Sequence, residues 1–263
     1  MPERGKGRRG ASARTPLSRE RVIRTAVAVA DEKGSAALTM RAIAEPLGVE
    51  AMSLYHHVAG REEILDGMVD AVFGEIDLPP RDTDWKSALR HRAVSARTVL
   101  RRHPWAIGLM DSRSQPGPAT LRHHDALIGA LRAGGFSVPM AAHAFSLIDS
   151  YLYGFVIQEL SLPFSNSAQL DEVAGAILRE MPADAYPHLT ELATEYALKP
   201  GYDYADEFTF GLTLILDALH PDETADPDQM VPTRRPGRGA AVQGIGPATS
   251  SAQGRQAKHS AAD

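Results

Sequence analysis

The run Ala51-Met52-Ser53-Leu54-Tyr55-His56-His57-Val58 holds the side chains best suited to recognition in this chain. Leu54 and Val58, four apart, give a short helix one buried side. Ala51, Met52, Ser53, Tyr55, His56 and His57 are left facing outward or sideways. An exposed Tyr-His-His cluster is poor material for a core. It is good material for hydrogen-bonding phosphates and the edges of bases.

The segment just before it supplies the support such a helix needs. Thr39 is a good N-cap, because its hydroxyl can accept from unpaired first-turn amides. Met40, Ile43, Ala44 and Leu47 follow at spacings of three and four, which predicts one apolar face. Gly48 suits the left-handed residue that ends a helix, and Val49 can plug the elbow between the two helices. The layout is a helix-turn-helix, in which the first helix braces and the second enters the major groove. Pro46 opposes it, since an interior proline costs about 3 kcal/mol, and the exact end of the first helix is open.

Other candidate chemistry is thinner. His123-His124 suggests a metal, but adjacent helical residues point about 100° apart and rarely share an ion. The pair reads as a solvated helix face, and no metal site or cofactor is expected. Trp105, Met110, Phe145, Tyr151, Tyr153 and Phe155 are candidates to line a small-molecule cavity, with His103, Asp149 and Gln158 as polar anchors. The alternative for the aromatics is plain core or a dimer interface. Asp149 interrupts the apolar face of a long helix, and an effector, a dimer partner or solvent could each meet it. No glycine-rich phosphate loop, nucleophile elbow or paired-histidine zinc motif is present. An enzyme is therefore the weaker class.

The elements around these residues all follow helical spacing. Ser18 caps a helix to about Lys33, with Val22, Ile23, Ala26, Val27 and Ala30 inward and Gly34 ending it. After the helix-turn-helix, Gly60 and Arg61 open a helix carrying Ile64, Leu65, Met68, Val69, Val72 and Phe73, closed by Leu78-Pro79-Pro80. Trp85, Leu89, Ala93, Ala96 and Leu100 form the next stripe, ended at His103-Pro104. A short segment at 104–111 leads to a Ser/Pro/Gly-rich loop, 112–118. Helices are then predicted at 119–133, 138–160, 168–180 and about 203–219. No strand or internal repeat is evident. The fold class is all-α: a three-helix helix-turn-helix domain over 18–77 and a helical effector-binding and dimerisation domain over 81–220. A basic arm at 1–17 and a Pro/Gly/Ala/Ser-rich tail at 221–263 are both expected to be disordered.

Charge separates the two ends. The net charge is −5, yet residues 1–61 carry eleven Lys+Arg against six Asp+Glu, and the remainder seventeen against twenty-seven. A basic front on an acidic body suits a molecule with one DNA-facing end. There are no cysteines, so a reducing cytoplasm fits and cysteine-based zinc or redox chemistry is excluded. No stretch approaches the ~20 apolar residues of a membrane span, nor does the N-terminus carry the apolar block of a signal peptide. A cytoplasmic location without membrane association is expected.

These motifs together resemble the tetracycline-repressor (TetR) family of bacterial one-component regulators. The resemblance is strongest over 18–73, on Leu38-Thr39-Met40-Arg41-Ala42-Ile43-Ala44, Leu47-Gly48-Val49 and Ser53-Leu54-Tyr55-His56-His57-Val58, with Arg61 opening the next helix. Arg102-His103-Pro104-Trp105 and Gly135-Phe136-Ser137 are similar to the branch nearest the tetracycline repressors themselves. The resemblance implies a homodimer on a palindromic operator, most simply a repressor, from which a small-molecule effector releases it. By position, Thr39 and Tyr55 would contact phosphates, with Arg41 a further phosphate candidate. Ala51, Met52, Ser53 and His56 would face base edges, and His57 and Arg61 would clamp the backbone. Helix 138–160 and the last helix would pair with their mates in a four-helix bundle, with Leu212 and Ile215 at the seam. Ser150 and Gln158 stand where the founding repressors place a histidine and a glutamate around magnesium-tetracycline, which argues against that inducer. A transcriptional activator or a ligand-free architectural DNA-binding protein is the alternative, although the helical body is larger than dimerisation alone requires.

Overall fold

The computed structural model describes residues 16–222 apart from 111, 112, 114, 165, 166 and 181–184. The basic arm and the tail lie outside the described residues, except where they join the body. There the expected boundaries move. Leu17 packs on the core, and the Asp222 carboxylate accepts from the Ser137 amide at 2.8 Å.

Among the described residues every regular element is helical. In chain order the helices are α1 (Arg19–Lys33), α2 (Met40–Leu47), α3 (Ala51–Leu54), α4 (Arg61–Glu75), α5 (Trp85–Arg102), α6 (Ile107–Met110), α7 (Pro118–Ala133), α8 (Val138–Ser161), α9 (Ser167–Glu180), α10 (Pro187–Leu192) and α11 (Tyr204–Ala218). Local chemistry sets their starts. Ser18, Thr39, Asp84, Ser137 and Asp203 each accept a first-turn amide through the side chain, which stabilises a helix start by about 1 kcal/mol. The sequence pattern missed α10 and the π-helical turn Ala193–Ala197 that follows it, and neither contributes a buried residue.

One core runs through head and body. Val22, Ile23 and Ala26 of α1 meet Ile64, Leu65 and Met68 of α4, which in turn leads to Leu127 of α7, Leu89 and Ala96 of α5, and Ile148 and Leu152 of α8. Each fully buried Leu, Ile or Val contributes roughly 1.5–3 kcal/mol of transfer free energy. Helix α4 therefore belongs to both the head and the body, since it packs on α1 and on α7.

Helix α8 is long and apolar enough to cross a membrane, with mean hydropathy 1.2, so the expectation that no such stretch exists is corrected. Its charged residues are nevertheless paired to α5 inside the protein. Asp149 accepts from Arg92 at 2.5 Å, and Glu159 takes Arg97 in a fork. Arg97 also lies over the rings of Phe155 and Phe208. Helix α11 closes on α8 at Gly211, where a Cβ would fall 2.3 Å from the Tyr151 hydroxyl. That hydroxyl donates to the main-chain oxygens of Glu207 and Phe208.

The packing of α11 overturns one expectation. Leu212 is 1% exposed and belongs to the protomer's own core, with Ile215 packed beside it. The apolar residues left outside are Phe210, at 65%, and Leu214, at 57%. On α8 the open face carries Leu147 and Ile157 with the small Ser150 and Gly154 between them.

Candidate functional site

The helix-turn-helix is built by backbone bonds before any side chain faces outward. The Thr39 hydroxyl accepts from the Ala42 amide at 3.1 Å and starts α2. Pro46 sits in its last turn, and the helix continues to Leu47. The end is then fixed at Gly48, whose φ of 67° is the left-handed conformation that a glycine adopts without strain. The Val49 amide reaches back to the Ala44 carbonyl at 3.2 Å, and the Gly48 amide to Glu45 at 3.1 Å. This paired closure is the Schellman arrangement, and it sets the angle at which α3 departs. Pro46 is tolerated because the turn it weakens is closed from outside.

The second helix is shorter than its sequence pattern suggested. Helix α3 ends at Leu54, and Tyr55, His56 and His57 form a tightened turn whose amides bond to Met52, Ser53 and Leu54. Leu54 and Val58, at 0% and 3% exposure, pin this turn to the core. Met52, Tyr55 and His56 are exposed, while Ala51, Ser53 and His57 are half-buried. Thr39, Arg41 and Arg61 are also exposed. At the start of α4 the Glu63 carboxylate accepts from the Ala59 amide and from Arg19, each at 2.7 Å. Those bonds hold its pKa below the ordinary carboxylate value. The exposed rim is thus a rigid set of hydroxyl, imidazole and guanidinium groups.

The candidate effector residues do not gather in one place. His103 is buried at the junction of head and body, its Nδ1 2.7 Å from Asp31 of α1 and its Nε2 3.3 Å from Glu75 of α4. The Trp105 indole donates to the same Asp31 oxygen at 2.7 Å. These two side chains tie helices together and are not free anchors. Gln158 and Ser150 are exposed, and Met110 and Tyr153 are half-buried. Phe145 and Asp149 alone of the set reach a polar centre in the body.

Sequence reasoning missed the rest of that centre. Arg92, 1% exposed, supplies the partner of Asp149. His123 is 3% exposed rather than solvated, which corrects the reading of His123-His124. Phe73 lies against both imidazoles, and His124 meets Phe145 edge-on with centroids 5.2 Å apart. Burial pushes both imidazole pKa values down, and the nearby Arg92 charge adds to the effect. Both rings are neutral near pH 7. The available signal was that Arg92 and Asp149 each break the apolar stripe of a core helix, with opposite charges.

Comparison with known proteins matches this geometry. Residues 22–68 match the model for bacterial regulatory proteins of the tetR family, and residues 78–221 the model for the tetracyclin repressor-like C-terminal domain. The chain belongs to the TetR family. It is similar to the HTH-type transcriptional repressor DrrR1 of Streptomyces coeruleorubidus, 32% identical over 223 residues and 81% of each chain. It is also similar to the class C tetracycline repressor protein of Escherichia coli, 30% identical over 206 residues, 77% of this chain and 90% of that one. Among solved structures, ActR of Streptomyces coelicolor in complex with actinorhodin superposes with a TM-score of 0.64 at 28% identity, covering 78% of this chain and 97% of that one. ActR in complex with (S)-DNPA gives the same TM-score at 29% identity, over 78% and 98%. The protein is thus a DNA-binding transcriptional regulator of TetR type and not an enzyme.

Proposed function

We propose that the chain acts in the cytoplasm as a homodimeric repressor that binds a palindromic operator and leaves it when a small molecule enters the helical body. The exposed Met52-Tyr55-His56 rim, held rigid by Leu54, Val58 and the Gly48 closure, carries the reading. In this reading Thr39, Arg41 and Tyr55 touch phosphates, Ala51, Met52, Ser53 and His56 face base edges, and His57 and Arg61 clamp the backbone. Two such heads would meet successive major grooves about 34–36 Å apart. The open apolar face of α8 and α11 supports pairing with a second copy, and the ActR complexes support a small-molecule signal.

Selection of genomic fragments by the purified protein at near-physiological salt tests it. A recurring palindrome is expected. Tyr55→Ala should weaken binding to every sequence by a similar factor, because phosphate contacts position without specifying. Exchanges at Ser53 or His56 should change the preferred bases. Diffuse binding that vanishes with salt would overturn the operator reading in favour of an architectural protein.

A further inference from the structure

We propose that the Arg92–Asp149–His123–His124 cluster is the recognition centre for the effector, and that it selects a neutral, hydroxylated aromatic molecule. This rests on the reading of the chain as a ligand-released regulator.

The cluster stands between α4, α5, α7 and α8 in the interior of the body. Its two most buried members each leave a polar atom without a hydrogen-bond partner: Arg92 Nε and His123 Nδ1. Such orphans are uncommon, because each costs about 1–3 kcal/mol of desolvation. Their chemistry is complementary. Arg92 Nε–H is a donor only. His123 gives its other ring proton to the Ile76 carbonyl, which leaves the Nδ1 of the neutral ring as an acceptor. A hydroxyl group accepts from the first and donates to the second.

Charge and shape narrow the class. The Arg92 charge is already compensated by Asp149 at 2.5 Å. A carboxylate on the ligand would leave one negative charge uncompensated in the interior, which is strongly disfavoured. The hydroxyl donor should therefore be borne by an uncharged molecule. The neighbouring groups are ring faces and edges: Phe73 against His123 and His124, and His124 against Phe145. A flat ring can stack or meet these edge-on at centroid distances of 4.5–7 Å. Among the described residues no group of three or more His, Cys, Asp or Glu could hold a metal ion, so direct hydrogen bonding and stacking carry the selection.

Calorimetry on the full chain with three probes of one size tests this: 1-naphthol, naphthalene and 1-naphthoate. At pH 7.5, 1-naphthol should bind at least tenfold more tightly than either of the others. His123→Leu should reduce that affinity at least tenfold and erase the preference over naphthalene. The pair Arg92→Leu with Asp149→Leu, which removes the donor without leaving a lone buried charge, should do the same, circular dichroism verifying the fold of each variant. Equal affinity for naphthol and naphthalene, preference for naphthoate, or an unchanged preference in the variants would overturn the proposal. So would no heat with any probe, in which case the two orphan atoms serve only a buried water. Operator capture by the same wild-type preparation is scored separately. Captured operator with no naphthol selectivity sinks the effector class alone, whereas selective naphthol binding with no captured operator sinks the regulator reading.

Discussion

Phe210→Glu combined with Leu214→Glu should convert the protein to a folded monomer, while Leu212→Glu should unfold it. The two exposed residues stand four apart on α11 at 65% and 57% exposure, and the residue between them is 1% exposed. Full burial of a Leu or Phe side chain is worth roughly 1.5–3 kcal/mol. With over half of each side chain open in the protomer, covering one contributes about 1–2 kcal/mol by the same coefficient. Four such side chains meet when two copies pair, for a total of about 4–8 kcal/mol, or a factor of about 10³–10⁶ in the dimer dissociation constant. A substitution at an exposed position changes protomer stability by only about 0.5 kcal/mol. A carboxylate at 212 would instead lie in the core shared by α5, α8 and α11, where an unpaired charge is not tolerated. Light scattering after size exclusion at micromolar concentration, beside a thermal melt by circular dichroism, separates the cases. A Phe210→Glu/Leu214→Glu protein that keeps dimer mass and a native melt would refute the assignment of this face, and a stable Leu212→Glu dimer would refute the packing.

Arg92→Leu alone leaves Asp149 buried without its partner and should cost about 3–5 kcal/mol, lowering Tm by about 6–20 °C for a body of this size. Adding Asp149→Leu should restore most of the loss, and a double variant no more stable than the single one would show that the pair is not isolated. Stability should also fall with acid through the two depressed imidazoles. Above pH 6.5, the ordinary imidazole value, both states are neutral and the contribution is complete; below it the unfolded chain takes up protons first, so stability drops until the folded pKa is passed. The drop in Tm from pH 7 to pH 5.5 should be smaller in His123→Phe than in the wild type, and an equal drop would contradict burial as its cause. Asp31→Asn weakens the bonds to His103 and Trp105 at once and should cost about 1.5–3 kcal/mol, read from chemical denaturation; a change under 0.5 kcal/mol would mean the junction is solvated.

What the sequence disclosed follows the range of the forces involved. Thr39, Gly48, Leu54 and Val58 act within a few residues of their own position, so the geometry of α2, the turn and the exposed rim could be read directly. Helix α11 could not be resolved in the same way. It is apolar on two faces, and spacing alone does not say whether 208, 212 and 216 or 210 and 214 look inward. The answer depends on where α8 lies and on Gly211 letting Tyr151 close over the helix. Arg92 escaped notice because arginine is ordinarily a surface residue, and its burial depends on a carboxylate 57 positions away. His123 looked solvated for a similar reason, since nothing near it in sequence reveals Phe73 packed against its ring. The aromatics and polar groups proposed as one cavity were sound as buried residues in part, but three different helix junctions claimed them.

The bonds at the two ends of α1 turn that helix into a strut. Arg19 is held to Glu63 at one end, and Asp31 to His103 and Trp105 at the other. The anchors are twelve residues apart, about 18 Å along the axis. No glycine or proline interrupts α1, so it cannot absorb a displacement by kinking. A 1 Å movement of the His103 corner, with Arg19 fixed, turns the whole rod by about 3° over that length. The slack in the linkage lies immediately beyond it, at Gly34 with φ 79°, a backbone setting that strains other residues. Motion in the body is therefore delivered to α2 as a rotation about a glycine joint, and the stiffness of α1 sets how little movement is needed.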